Sequence, residues 1–106
     1  MDNIRNIPAK HLTEGVDGHY AHGERLTLGL VKLQPGSIVP LHSHPHEQIT
    51  YIVKGSLNMN IGGKEYLLTE GMYHVIPSNT LHNAVAPEYC EAIDVFNPVR
   101  EDYRTR

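Results

Sequence analysis

The sequence predicts an all-β domain built from many short strands, a sandwich or a barrel. Three observations carry this. Glycine and proline punctuate the chain at short intervals, from Gly15 to Pro98. The runs between them are rich in Val, Ile, Leu, Tyr and Thr. None of these runs holds the three-to-four apolar spacing that a helix needs, and turn signals recur about every 8–12 residues, the pattern of β sandwiches and barrels.

The strands follow in order. LTLGLVKL (26–33) is the first strong one, then QITYIVK (48–54), SLNMNI (56–61), KEYLLT (64–69), YHVIP (73–77), HNAVA (82–86) and CEAIDVF (90–96). Gly62-Gly63 between two of them is a tight-hairpin signal. Residues 48–54 and 90–96 are apolar on both alternations, so both faces are expected to be covered. One face would line the barrel, and the other would meet a second sheet or a second subunit, which makes a homodimer an expectation. Residues 1–25 read as an N-terminal strand or arm, 26–100 as the barrel, and 101–106 as a C-terminal tail.

At 106 residues the chain has room for one core and one domain. Its 9 basic and 12 acidic residues give a net charge of −3, with no basic stripe and no run of like charge. Nucleic-acid and anionic-membrane partners are therefore not expected. Cys90 stands alone, which excludes a disulfide framework and a cysteine zinc cluster. The start MDNIRNIPAKH lacks the apolar centre of a signal peptide, and no apolar run reaches membrane-span length. The expectation is a soluble, cytoplasmic protein. The oddity is eight histidines, at 11, 19, 22, 42, 44, 46, 74 and 82.

The densest chemistry lies in HSHPHEQITYIVKG, residues 42–55. Strand side chains alternate faces, so His42, His44 and His46 share one if the segment is extended. Pro45 pushes His44 toward extended geometry. The same parity puts Gln48 on the histidine face and Glu47 on the other, unless a bulge at Pro45 shifts it. Such donors suit divalent Zn, Ni, Mn or Fe. A further ligand must come from elsewhere, and His82, between Pro77 and an apolar strand, is the candidate. The expected cofactor is thus one divalent transition metal held by His42, His44, Gln48 and His82. All four ligands are neutral, so the ion keeps its full charge, which favours an anionic substrate and a developing oxyanion. The competing reading is a solvated histidine patch. His46 is expected at the mouth of the barrel. The other four histidines have no partner at metal spacing, and Cys90 reads as a small core residue.

These residues resemble the cupin family. Its first motif is matched by Gly36, His42, His44, Gln48 and Gly55, with Gln in the position of a Glu. Its second is matched by Gly71, Pro77, Asn79 and His82, with Asn79 for a turn glycine and Ala86 for a final Asn. Asn tolerates left-handed backbone better than most residues. Fifteen residues separate the two motifs, which span 36–55 and 71–86. The resemblance implies a double-stranded β-helix, a jelly-roll-like barrel, with the metal site above.

The stretch EAIDVFNPVREDY (91–103) is similar to the end of KdgF-type small cupins, whose D-x-F-x-x-x-R pattern falls here on Asp94, Phe96 and Arg100. That resemblance implies conversion of 4,5-unsaturated uronates, released by pectin and alginate lyases, into linear keto sugar acids. It makes Asp94, Phe96 and Arg100 the catalytic candidates and a small anionic sugar acid the expected substrate. The assignment is physically coherent. Asp94 and Phe96 share strand parity, a carboxyl in an apolar barrel suits proton exchange, and an arginine fork can clamp a carboxylate. Tyr51, His46 and Gln34 are candidates for reading sugar hydroxyls. The alternative functions are an Fe- or Mn-dependent dioxygenase and a non-catalytic metal- or sugar-binding cupin.

Overall fold

The computed structural model describes residues 2–104. It is almost entirely β. A single 3₁₀ turn (Ile4–Asn6) precedes β1 (Lys10–Thr13), β2 (Val16–His22), β3 (Thr27–Leu33), β4 (Ile38–His42) and β5 (Glu47–Lys54). Then come β6 (Ser56–Ile61), β7 (Lys64–Thr69), β8 (Tyr73–Ile76), β9 (His82–Val85), β10 (Cys90–Asn97) and a short helix, α1 (Glu101–Arg104). A six-stranded sheet runs β1-β2-β3-β10-β5-β8, and a four-stranded sheet runs β4-β9-β6-β7. All strand pairs are antiparallel. This is the all-β single domain that the strand pattern predicts. No helix among the described residues is long and apolar enough to cross a membrane.

The period-two pattern decides what lies inside. In β5, Gln48, Thr50 and Ile52 are buried, whereas Ile49, Tyr51 and Val53 face out. In β10, Cys90, Ala92 and Phe96 are buried. With Val16, Leu33, Leu57, Met59, Leu68 and Ile76 they form the core between the sheets. The Gly62-Gly63 hairpin between β6 and β7 is present, with φ of 59° and 88°, the left-handed pair a two-residue turn requires.

The outer face of 48–54, expected to meet a second sheet or a second subunit, does not meet the second sheet. Within the chain the outer face is bare, with Ile49, Tyr51 and Val53 at 40%, 42% and 40% exposure. The second sheet packs on one side only.

The sequence reading missed β4, and it gave residues 1–25 as one strand or arm where the structure has two strands, β1 and β2. β4 contains Pro40, which reads as a breaker. It is tolerated because β4 is an edge strand of the small sheet, where a missing N–H is harmless. β1 and β2 complete the edge of the large sheet, and β2 pairs with β3 along its whole length. In β2 the inward position 18 is glycine, so no apolar alternation shows. The Tyr20 ring occupies that space instead, and a Cβ on Gly18 or Gly29 would lie 2.5 Å from it. Thus Tyr20 lies flat across the inner face of the sheet. Of the segments read as arm and tail, Met1, Thr105 and Arg106 lie outside the described residues.

Candidate metal centre and active-site cavity

The stretch 42–48 is not one continuous strand, as the parity argument assumed. β4 ends at His42, residues 43–46 form a loop, and β5 begins at Glu47 in the other sheet. The loop therefore crosses between the sheets at one end of the barrel. His82 opens β9 and is paired directly opposite His42. Asn79, at φ 63°, makes the tight turn before β9, and its N–H donates to the His44 carbonyl at 2.8 Å. This bond ties the loop carrying His44 to the turn carrying His82.

The three imidazoles are oriented by backbone carbonyls. Nδ1 of His42 meets the Pro40 oxygen at 2.7 Å, Nδ1 of His44 the His46 oxygen at 3.0 Å, and Nδ1 of His82 the Thr80 oxygen at 2.8 Å. A carbonyl only accepts, so each Nδ1 must carry the proton and each Nε2 presents a lone pair. The potential ligand atoms of His42, His44 and His82 all lie within 4.8 Å of one another. His82 Nε2 is buried with no partner among the described residues. Burial, together with the nearby Arg100 guanidinium and His82, lowers the His44 pKa to about 4. Burial also lowers that of His82. Both rings are neutral near pH 7, the state that can bind a metal.

Gln48 faces two ways. Its Oε1 is 3.0 Å from His44 Nε2. Its amide N–H donates to the Thr50 hydroxyl at 2.9 Å and to Asp94 Oδ1 at 3.2 Å. The Thr50 hydroxyl donates to the same Asp94 oxygen at 2.7 Å. This network fixes which end of the amide is oxygen. With Nδ1 of His44 protonated, Nε2 and the Gln48 oxygen are then two acceptors at hydrogen-bond distance. They repel unless a positive charge lies beside them. That geometry, with the unpartnered His82 nitrogen, fits a divalent cation held by neutral N and O donors. Glu47 is exposed and sits opposite Asn97.

Asp94 lies on β10, next to Thr50 of β5 and Gly29 of β3. Burial raises its pKa, partly offset by the bonds from Thr50 and Gln48. Phe96 lies two residues on with the same facing, its ring 5.7 Å from that of His44. Arg100 is 6% exposed, and its guanidinium stacks 4.7 Å from the centre of Phe96 and 3.9 Å from that of Tyr103. Asp102 accepts from its Nε at 3.0 Å and its Nη2 at 2.7 Å. Burial alone would disfavour the charge on Arg100, but Asp102, together with Tyr103 and Tyr20, more than offsets it and the pKa is raised.

The three histidines, Gln48, Asp94, Phe96 and Arg100 all line one cavity of about 70 Å³. Thr50, Tyr20 and Tyr103 line it too and were missed by sequence reasoning. Thr50 was within reach, because it continues the Gln48 parity. For Tyr20 the signal was Gly18 and Gly29, legible only once β2 and β3 are paired. Tyr103 left no signal.

Other candidates lie elsewhere. Tyr51 faces out of the large sheet, and Gln34 is exposed in the β3–β4 turn. His46 is half-buried, its ring 5.4 Å from that of His44, and burial lowers its pKa. His11 bonds Asp17, His19 the Ile7 carbonyl, and His22 Thr27, while His74 packs on Tyr66. Cys90 is fully buried and its thiol is pushed up to about 11, so it stays protonated.

Comparison with known proteins agrees with this geometry. A family model for the cupin domain matches residues 29–96. The pectin degradation protein KdgF of Dickeya dadantii is 32% identical over 80 residues, which is 74% of this chain and 73% of that protein. Among solved structures, KdgF from Halomonas sp. superposes with a TM-score of 0.87 at 31% identity, covering 93% of each chain. An RmlC-like cupin from Shewanella frigidimarina superposes with a TM-score of 0.90 at 26% identity, covering 96% of this chain and 93% of its own.

Proposed function

This chain belongs to the cupin family, and from that premise we propose that it is a metal-dependent enzyme that opens and ketonises 4,5-unsaturated uronates. The observation that carries the reading is the Gln48 amide. It joins the histidine cluster to Asp94 through one planar group. A cluster able to hold a metal and a buried carboxyl group thus share one cavity, with Arg100 in its wall, which supports this reading. The similarity to KdgF, a pectin degradation protein, supports the substrate class.

In this reading His42, His44, Gln48 and His82 hold one divalent ion. When bound it supplies Lewis acidity toward a sugar oxygen, undiminished because all four ligands are neutral. The remaining work belongs to the chain. Arg100 binds the uronate carboxylate, and Phe96 gives the sugar ring an apolar wall. Opening breaks the bond from the anomeric carbon to the ring oxygen. The anomeric hydroxyl loses its proton and becomes an aldehyde, and the released oxygen becomes an enol. Ketonisation removes the enol proton and adds one at the neighbouring unsaturated carbon. Asp94, with its raised pKa and a Thr50–Gln48 cradle, is the group that carries a proton here. The net change is an isomerisation that consumes nothing.

The test is the decay of ultraviolet absorbance of a 4,5-unsaturated monouronate with protein, without protein, and with chelator-stripped protein. Loss faster than the spontaneous background, abolished by chelation and restored by added metal, is expected. No acceleration by metal-loaded protein on either pectin- or alginate-derived substrate would overturn the reading. Oxygen uptake under the same conditions would move it to the dioxygenase.

The bare outer face of the large sheet fits a second copy of the chain. Leu28, Val95, Ile49 and Val75 form one cross-strand row over four strands, an apolar surface that can meet itself across a two-fold axis. Sedimentation should give a dimer, and Ile49→Asp a monomer.

A further inference from the structure

The Arg100 side chain is held almost wholly by its own end of the chain. Its backbone N–H donates to the buried Thr27 hydroxyl at 2.8 Å, which anchors the main chain to β3. Phe96 and Tyr103 cover the guanidinium faces at 4.7 Å and 3.9 Å. Tyr103 is itself braced by Tyr20, ring centres 4.6 Å apart. These contacts fix the plane of the group. They do not fix its rotation within that plane, and that is where Asp102 acts.

A guanidinium offers two two-pronged edges, Nε with Nη2 on its side and Nη1 with Nη2 at its end. Asp102 takes the side edge through both oxygens, at 3.0 Å and 2.7 Å. The end edge keeps one N–H of Nη1 and one of Nη2, and the fifth N–H, on Nη1, points back toward Cδ. Asp102 is 57% exposed while Arg100 is 8% exposed by side chain, so the carboxylate stands on the solvent side of a guanidinium that lines the cavity. We propose that Asp102 is a positioning residue: it locks Arg100 by the side edge so that the end edge grips the substrate carboxylate. This rests on the uronate reading above. The opposite role is also concrete: Asp102 would be an internal competitor occupying the fork that substrate needs. The two differ in sign, because removing a positioner weakens binding and removing a competitor tightens it.

The probe is D-galacturonate, a saturated uronate that carries the carboxylate and cannot ketonise, titrated calorimetrically into metal-loaded protein. D-galactose, the same ring without the carboxylate, is the control. Asp102→Asn is expected to weaken galacturonate binding about tenfold, the size of one charge-assisted contact. Asp102→Glu, which keeps the carboxylate, should lose less. Arg100→Lys should lose as much as Asp102→Asn, and the double variant no more than Arg100→Lys alone, because both substitutions disable one device. Metal content should stay at the wild-type value and the melting temperature should fall only slightly, as Asp102 is exposed. In the absorbance assay KM should rise with kcat held within about twofold.

Equal or tighter galacturonate binding by Asp102→Asn would overturn the proposal, as would full additivity with Arg100→Lys. Failure of the wild type to bind galacturonate would overturn the clamp and this role with it. If the wild type binds galacturonate with the expected Asp102 dependence yet fails to accelerate ketonisation, the positioning role stands and the proposed reaction falls.

Discussion

The two walls of the cavity hold their functional groups by different means. On the histidine wall each ring is oriented by a carbonyl two residues away: His42 by Pro40, His44 by His46, His82 by Thr80. On the β10 wall the supports of Asp94 are distant. It takes bonds from residues 44 and 46 positions away, while beside it the Arg100 guanidinium is held by its own chain end and only its backbone N–H reaches Thr27, 73 positions away. A locally oriented ligand keeps its direction wherever its short motif folds. A carboxylate oriented from another strand depends on the register of the whole sheet. Metal binding and turnover should therefore separate under mutation.

The largest effect is expected on the first wall. His44→Ala should abolish metal binding and bring turnover to the chelator-stripped level, measured by metal analysis beside the absorbance assay. Retained metal with His44 gone would mean that the cluster is not the binding site. Asp94→Asn comes next. It should cut turnover by about 10²–10⁴-fold while the metal stays at wild-type stoichiometry. A parallel loss of metal would show that the two walls are one unit.

Gln48→Glu probes the seam between them. A carboxylate there still suits a metal, but it cannot donate to Asp94 and adds a like charge beside it. Metal affinity should hold or rise while turnover falls about tenfold. A variant that loses metal and keeps its rate would reverse the assignment of the amide's two ends.

The smallest effect concerns the ion pair at the chain end. The bond from Arg100 holds Asp102 below the usual carboxylate range. Its folded pKa lies below its unfolded one. Its contribution is thus present above an unfolded value of about 3.9 and fades as pH falls through the folded value. Since Asp102 is more than half exposed, the contribution is about 0.5 kcal/mol or less. Urea midpoints of wild type and Asp102→Asn should differ slightly at neutral pH and converge in acid, once the carboxylate is protonated in the folded state too. An undiminished gap in acid would show that the pair contributes packing rather than charge.

The all-β class was readable from turn spacing, from β6, whose inward residues Leu57, Met59 and Ile61 are apolar, and from the β-branched and apolar runs of β3 and β5. β2 and β4 were not, because each departs from alternation for a reason outside itself. Gly18 is filled by Tyr20 from the same strand, and Pro40 is harmless only because β4 lies at a sheet edge. Gln48 rather than Glu47 lies beside His44, as parity suggested, although the segment is a loop between two sheets rather than one strand. Thr50 was legible by parity and overlooked. Tyr20, Tyr103 and Asp102 were not legible, since they matter only through an arginine that the fold folds back between them.

The sequence by itself determined the all-β class and the cupin motifs, with their glycines, Asn79 and three metal-spaced histidines. These rest on local physics: period-two burial, left-handed turns and short-range imidazole–carbonyl bonds. Only the tertiary structure decided what surrounds them. It set Gln48 between the histidines and Asp94, turned the outer face of β5 bare, and closed the chain end over the cavity with Arg100 held by Asp102 and two aromatic rings. Those outcomes depend on which strands pair, in what register and on which side of the sheet, and no short stretch of residues carries that information.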